Sequence, residues 1–123
     1  MKRLLILEDD SLNANLLKDL FTLEGFDVVT AKNTHLAEDL LFKKKIDLLI
    51  TDINLPGMNG LDWLKARKEA GSSIPFIVTS GSHKKEDFIA ANKMGAFGYL
   101  EKPINPEGMV NLIHQFFTVS GVK

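Results

Sequence analysis

Leu4-Leu5-Ile6-Leu7 runs directly into Glu8-Asp9-Asp10. A short apolar run of this kind reads as a buried strand of a parallel sheet, although a buried helical turn shares its periodicity. The pattern recurs at Leu48-Leu49-Ile50, which leads through Thr51 to Asp52. In an open α/β sheet, ligands gather at the carboxyl ends of the strands, and both acidic groups fall there. If the two strands are neighbours, three carboxylates crowd one crevice. Each like-charged pair at about 4 Å would cost roughly 4 kcal/mol at an effective dielectric of about 20. A hard cation such as Mg2+, which prefers oxygen ligands, removes that cost. The cluster reads as a metal site.

Strand-like and helix-like segments alternate five times along the chain. Leu12, Leu16, Leu17, Leu20, Phe21 and Leu23 recur at helical spacing, and Gly25 supplies a stop. A strand is predicted over 26–31, then a helix capped by Thr34 and carrying Leu36, Ala37, Leu40 and Leu41. The third strand is predicted over 47–51. Asn59 reads as the N-cap of the next helix, with Asp62 three residues on and Gly71 closing it. Pro75 opens a fourth strand over 76–79, and Ser82 caps a helix running to Gly95. A short fifth strand is predicted over 97–100. Asn105, with Pro106 at the first helical position, starts a last helix with the stripe Met109, Leu112, Ile113, Phe116 and Phe117. Strict alternation implies right-handed crossovers and a parallel sheet covered on both faces.

The 123 residues suit one domain with a real core, and no repeat, low-complexity tract or interdomain linker interrupts them. A net charge of −1 argues against a general electrostatic grip on nucleic acid or membrane. With no cysteine, disulfides, thiolate catalysis and Cys-based metal sites are excluded. The apolar run after Met1-Lys2-Arg3 meets Glu8 too soon to be a signal segment or a membrane span. A cytoplasmic protein is the default expectation.

Two more polar groups fall at predicted strand ends: Thr79-Ser80 after the fourth and Lys102-Pro103 after the fifth. Together with the acids they offer a metal, a hydroxyl and an ammonium, a set that suits a phosphoryl group. The first strand is followed by no glycine-rich phosphate loop, which argues against a bound nucleotide. The phosphoryl group then belongs on the protein, and Asp52 is the natural nucleophile because a carboxylate can form an acyl phosphate.

Four motifs now stand in order: Leu7-Glu8-Asp9-Asp10, Thr51-Asp52-Ile53-Asn54-Leu55-Pro56-Gly57-Met58-Asn59-Gly60, Val78-Thr79-Ser80-Gly81 and Tyr99-Leu100-Glu101-Lys102-Pro103. In that order and spacing, the chain resembles the receiver domain of two-component response regulators over essentially all of residues 1–123. The resemblance implies a single flavodoxin-like, doubly wound domain: a five-stranded parallel sheet of order 2-1-3-4-5 with five helices.

It also implies roles. Asp52 accepts phosphate from a phosphohistidine on a sensor histidine kinase or histidine phosphotransfer protein. Asp9 and Asp52 bind Mg2+ directly, Glu8 acts through water, and Asn54 adds its backbone carbonyl. Thr79 and Lys102 each hold a phosphate oxygen, Tyr99 is the aromatic switch, and the Lys102-Pro103 bond is often cis in such domains. Leu12, Asn13, Leu16 and Ile104 fall at kinase-contact positions. The surface of the fourth helix, fifth strand and fifth helix would pass the signal to an output partner, with a phosphorylation-dependent homodimer as one option. Such a domain catalyses only its own phosphorylation and dephosphorylation.

Plainer readings stand beside these. Asp10 reads first as a helix cap. Tyr99 has a simple reading as a half-buried strand tyrosine, and Trp63 as a buried one. Lys43-Lys44-Lys45 complements a helix carboxyl terminus, His83 with Lys84 and Lys85 reads as solvated, and His35 and His114 lack metal-ligand partners. Five positions bear on the details. Glu8 replaces the commoner aspartate, Ser80 stands where alanine or glycine is usual, and Ile104 stands where phenylalanine is frequent. Asn54 and Gly81 lie where relatives adjust phosphoryl lifetime. Two other functions are open: a small metal-dependent phosphohydrolase, and a receiver-like interaction domain that is not phosphorylated. The phosphohydrolase would want an acid where Asn54 stands. The sequence ends at Lys123, just past the last predicted helix, so no effector domain is expected within it. A free-standing receiver and a piece of a larger regulator or hybrid kinase both fit.

Overall fold

The computed structural model describes residues 1–119. Positions 120–123, which the expected domain span includes, lie outside the described residues. In chain order the elements are β1 (Arg3–Leu7), α1 (Ser11–Leu23), β2 (Asp27–Ala31), α2 (Thr34–Lys43), β3 (Leu48–Asp52), β4 (Asn54–Leu55), β5 (Met58–Asn59), α3 (Gly60–Glu69), β6 (Phe76–Ser80), α4 (Lys85–Lys93), β7 (Gly98–Glu101) and α5 (Pro106–Val119). Five of the strands form one parallel sheet in the order β2-β1-β3-β6-β7. That is the expected 2-1-3-4-5 order once the two-residue strands β4 and β5 are set aside. These two pair antiparallel across Pro56-Gly57, where Gly57 takes a φ of 78°, as the third residue of a type II turn requires.

Alternation along the central strands sorts their side chains between two apolar layers. Leu4, Ile6, Leu48, Ile50 and Ile77 face α1 and α5 and pack on Phe21, Met109, Ile113 and Phe116. Leu5, Leu7, Leu49, Phe76 and Val78 face α2, α3 and α4 and pack on Ala37, Leu61, Trp63, Leu64 and Ala91. Burial on both faces explains why the strands read as continuous apolar runs instead of alternating ones. The final helix follows its sequence closely, with Asn105 Oδ1 accepting the Gly108 N–H and Met109, Ile113, Phe116 and Phe117 buried. No helix among the described residues is long and apolar enough to cross a membrane.

Several boundaries differ from the sequence reading. Strand β3 continues through Asp52 and β6 through Ser80, because Asp52 pairs with Thr79 and Ser80 with Glu101 in the ladder. A polar side chain does not end a strand whose backbone is bonded on both sides. The cap of α2 is Asn33, whose side chain accepts the Leu36 N–H at 2.8 Å; Thr34 is the first helical residue. Ser82 does not cap α4. That helix starts at Lys85 without a side-chain cap, and Ser82 Oγ accepts the Lys84 N–H inside the preceding loop. The apolar residues of α1 also divide. Leu17 and Phe21 enter the core, whereas Leu12 and Leu16 stay exposed.

Candidate functional site

The site lies at the carboxyl edge of the three middle strands and the outer strand β7. Glu8 follows β1, and its N–H extends the ladder by bonding the Ala31 carbonyl at 2.9 Å. Asp52 is the last residue of β3, with Thr79 as its direct partner on β6. Lys102 follows β7, with its N–H on the Ser80 carbonyl at 2.7 Å. Parallel register therefore sets four functional positions side by side, though they are far apart in sequence.

Carboxylate oxygens of Glu8, Asp9 and Asp52 all lie within 4.8 Å of one another. Glu8 and Asp52 are buried, while Asp9 is exposed. Lys102 Nζ sits between the two buried acids, 2.7 Å from Glu8 Oε1 and 2.8 Å from Asp52 Oδ2. The remaining oxygens have local partners. Glu8 Oε2 accepts the Asp10 N–H at 3.2 Å, and Asp52 Oδ1 accepts the Asn54 N–H at 3.2 Å. Burial raises the pKa of Glu8, and the bonds from Lys102 and Asp10 offset this only in part; the charge of Asp52 adds to the rise. Burial pulls the Lys102 ammonium down, but its bonds to Asp52 and Glu8 outweigh that and raise it. The two directions agree: one cation serves two acids, so each acid is incompletely compensated. Oxygen donors clustered around incompletely neutralised charge fit a small hard cation.

The surroundings fix this edge closely. Asn59 caps α3 with bonds from the Leu61 and Asp62 amides at 2.8 and 3.4 Å. The Gly60 N–H bonds the Ile53 carbonyl at 2.6 Å, and a Cβ at Gly60 would lie 2.3 Å from the Asp52 carbonyl oxygen. Only glycine allows α3 to start this close to the end of β3. Asp10 caps α1, as its plainer reading held, with its side chain on the Leu12 and Asn13 amides. Asn54 starts the β4–β5 hairpin and shares an open cleft with Asp9. The Lys102-Pro103 peptide is cis.

Tyr99 lies mid-strand on β7, edge-on to Phe88 of α4 with ring centroids 5.5 Å apart, and its buried hydroxyl has no hydrogen-bond partner among the described residues. Asn13, Leu16, Leu17, Leu20, Ile104 and Pro106 line an apolar hollow beside Lys102. Trp63 is buried and donates to Glu38, which also receives Arg67. Two contacts escaped the sequence reading: His83 pairs with Glu101, and His114 bonds Glu24 at 3.0 Å. Neither pairing has a local sequence signal, since the partners are 18 and 90 positions apart.

A sequence profile of the response regulator receiver domain matches residues 4–114. Transcriptional regulatory protein CpxR of Escherichia coli is 36% identical over 110 residues, covering 89% of this chain and 47% of CpxR. Cell cycle transcriptional regulator CtrA of Caulobacter vibrioides is 35% identical over 115 residues, covering 91% of this chain and 48% of CtrA. The receiver domain of the TMAO respiratory system response regulator TorR superposes with a TM-score of 0.88 at 28% identity, over 95% of this chain and 97% of that one. The chain belongs to the response regulator receiver domain family. It spans about half the length of the curated relatives it matches. This family membership favours a phosphoacceptor switch over a phosphohydrolase.

Proposed function

We propose that residues 1–123 form a receiver unit in which Asp52 accepts a phosphoryl group from a phosphohistidine of a sensor histidine kinase or phosphotransfer protein. The observation that carries this reading is the meeting of Asp52, Thr79 and Lys102, from adjacent strands, at one edge that also holds Glu8 and Asp9. An Asp52 carboxylate oxygen attacks phosphorus, the phosphorus–nitrogen bond breaks, and the departing imidazole takes up a proton. Mg2+, held by Glu8, Asp9, Asp52 and the Asn54 carbonyl, would neutralise charge on the transferring phosphoryl oxygens. Lys102 keeps its ammonium at the acceptor and pairs with a phosphoryl oxygen. The Thr79 hydroxyl donates to another.

Phosphorylation adds about two negative charges at Asp52. Moving a two-state equilibrium from mostly off to mostly on takes about 5.5 kcal/mol. Two charge-assisted contacts at about 1.5–3 kcal/mol each reach that order. Thr79 is drawn to the phosphoryl group, Tyr99 repositions against α4, and the α4–β7–α5 surface changes toward an output partner or a second copy. Asn13, Leu16 and Ile104, which line the apolar hollow, and the exposed Leu12 are the kinase contacts. The protein works in the cytoplasm as a two-component phosphorelay phosphoprotein and catalyses only its own phosphorylation and dephosphorylation. Beryllofluoride with Mg2+ should shift the amide resonances of Thr79, Tyr99 and Lys102. Unmoved resonances would favour a receiver-like interaction domain that takes no phosphate.

A further inference from the structure

Between Thr79 and α4, the 81–84 loop carries a set of restraints that phosphoacceptor chemistry does not need. Ser80 is fully buried, and its Oγ accepts the Ser82 N–H at 2.9 Å. Ser82 Oγ accepts the Lys84 N–H at 3.1 Å, so the loop is held from within. His83 then reaches across to β7, where its Nδ1 pairs with the Glu101 carboxylate. Among the described residues, this is the one side-chain hydrogen bond or ion pair that joins the loop to an element other than β6, which it follows. Its two ends are well placed. His83 lies four positions beyond Thr79, and Glu101 immediately precedes Lys102.

We infer that the His83–Glu101 pair is a strap that holds the Thr79 loop in its unphosphorylated position against β7, making His83 and Glu101 positioning residues for phosphorylation. The inference rests on the phosphoacceptor reading and adds a restraint that the reading does not supply. With Thr79 drawn toward a phosphoryl group, the loop that follows must shift relative to β7, and the strap opposes that shift. The side chains of His83 and Glu101 are 73% and 55% exposed, so water screens the pair and its effect on the equilibrium is two- to fivefold, roughly. That suits a device that sets a threshold and does not hold the fold together.

The charged groups around His83 are Glu101 on β7, Lys84 in its own loop, and Lys85, Glu86 and Asp87 in the first turn of α4. Lys102, the next residue after Glu101, is committed to Glu8 and Asp52.

The test compares wild type with His83→Ala, Glu101→Gln, the double variant and His83→Lys, in the full chain with Mg2+. The readouts are the rate of phosphorylation by acetyl phosphate and the affinity for beryllofluoride. His83→Ala and Glu101→Gln should each react and bind two- to fivefold better, roughly, and the double variant no better than either of them. His83→Lys, which keeps a cation opposite Glu101, should match wild type. An unchanged or slower His83→Ala or Glu101→Gln, or additive effects in the double variant, would overturn the strap with the phosphoacceptor reading intact. Failure of wild type and every variant to bind beryllofluoride would overturn both.

Discussion

Lys102 Nζ stands within 2.8 Å of both Asp52 Oδ2 and Glu8 Oε1, so a single ammonium is shared by two buried carboxylates. That arrangement gives Lys102 two competing duties. It compensates the acids when no cation is present, and in the proposed transfer it must be free to pair with the incoming phosphoryl oxygen.

Replacing Lys102 with methionine should therefore separate stability from metal binding. Two acids lose their partner, and the metal-free protein should lose about 1–2 kcal/mol, a figure discounted for the partial exposure of the lysine. Mg2+ should then raise the Tm of Lys102→Met more than that of wild type, because the ion takes over the compensation. Equal Tm gains in the two proteins would contradict competition between lysine and metal.

The raised pKa of Glu8 sets a pH dependence. The folded chain binds this proton more tightly than the unfolded chain, whose glutamate titrates near 4.5. Stability of the metal-free protein from this group is thus complete below that value and is lost as pH rises through the folded pKa. Urea melts across this window should show a downward slope in wild type that Glu8→Gln lacks. Matching slopes would show that Glu8 is not the titrating group.

Two glycines should differ sharply in their tolerance of a methyl group. At Gly60 the new Cβ meets the Asp52 backbone oxygen, which cannot move without disturbing the proposed acceptor. Gly60→Ala should cost about 1–3 kcal/mol and slow phosphorylation as well. At Gly98 the Cβ meets the Leu112 side-chain methyls, which can rotate away. Gly98→Ala should cost less than Gly60→Ala and leave the phosphorylation rate close to wild type. Denaturant melts paired with acetyl phosphate kinetics decide this.

The buried, unpartnered hydroxyl of Tyr99 predicts an inversion of the usual mutational cost. Removing it in Tyr99→Phe discards an unsatisfied polar atom and keeps the edge-on contact with Phe88, so the unphosphorylated protein should hold its stability or gain up to about 1 kcal/mol. A clear loss of stability would mean that the hydroxyl has a partner in solution.

Most of the fold was legible because both sheet faces are covered, which turns central strands into apolar runs such as 4–7 and 48–50. The acids, Thr79 and Lys102 were legible for a related reason, since each follows such a run and parallel register aligns strand ends. Caps were harder to read. Asn33 and Thr34 are both good capping residues, and only the bond to the Leu36 amide distinguishes them. The division of the α1 leucines was hidden because helical spacing reveals apolar periodicity and not which residues find a neighbouring layer. His83 with Glu101 was illegible in principle, since it depends on how a loop crosses to a strand 18 positions away.

Phosphoryl transfer to Asp52 can be tested most directly by incubating the chain with a labelled phosphohistidine donor and Mg2+. Wild type should acquire an alkali-labile acyl phosphate, and Asp52→Asn, folded to the same melting profile, should acquire none. Label on the asparagine variant at the wild-type level would contradict Asp52 as the acceptor.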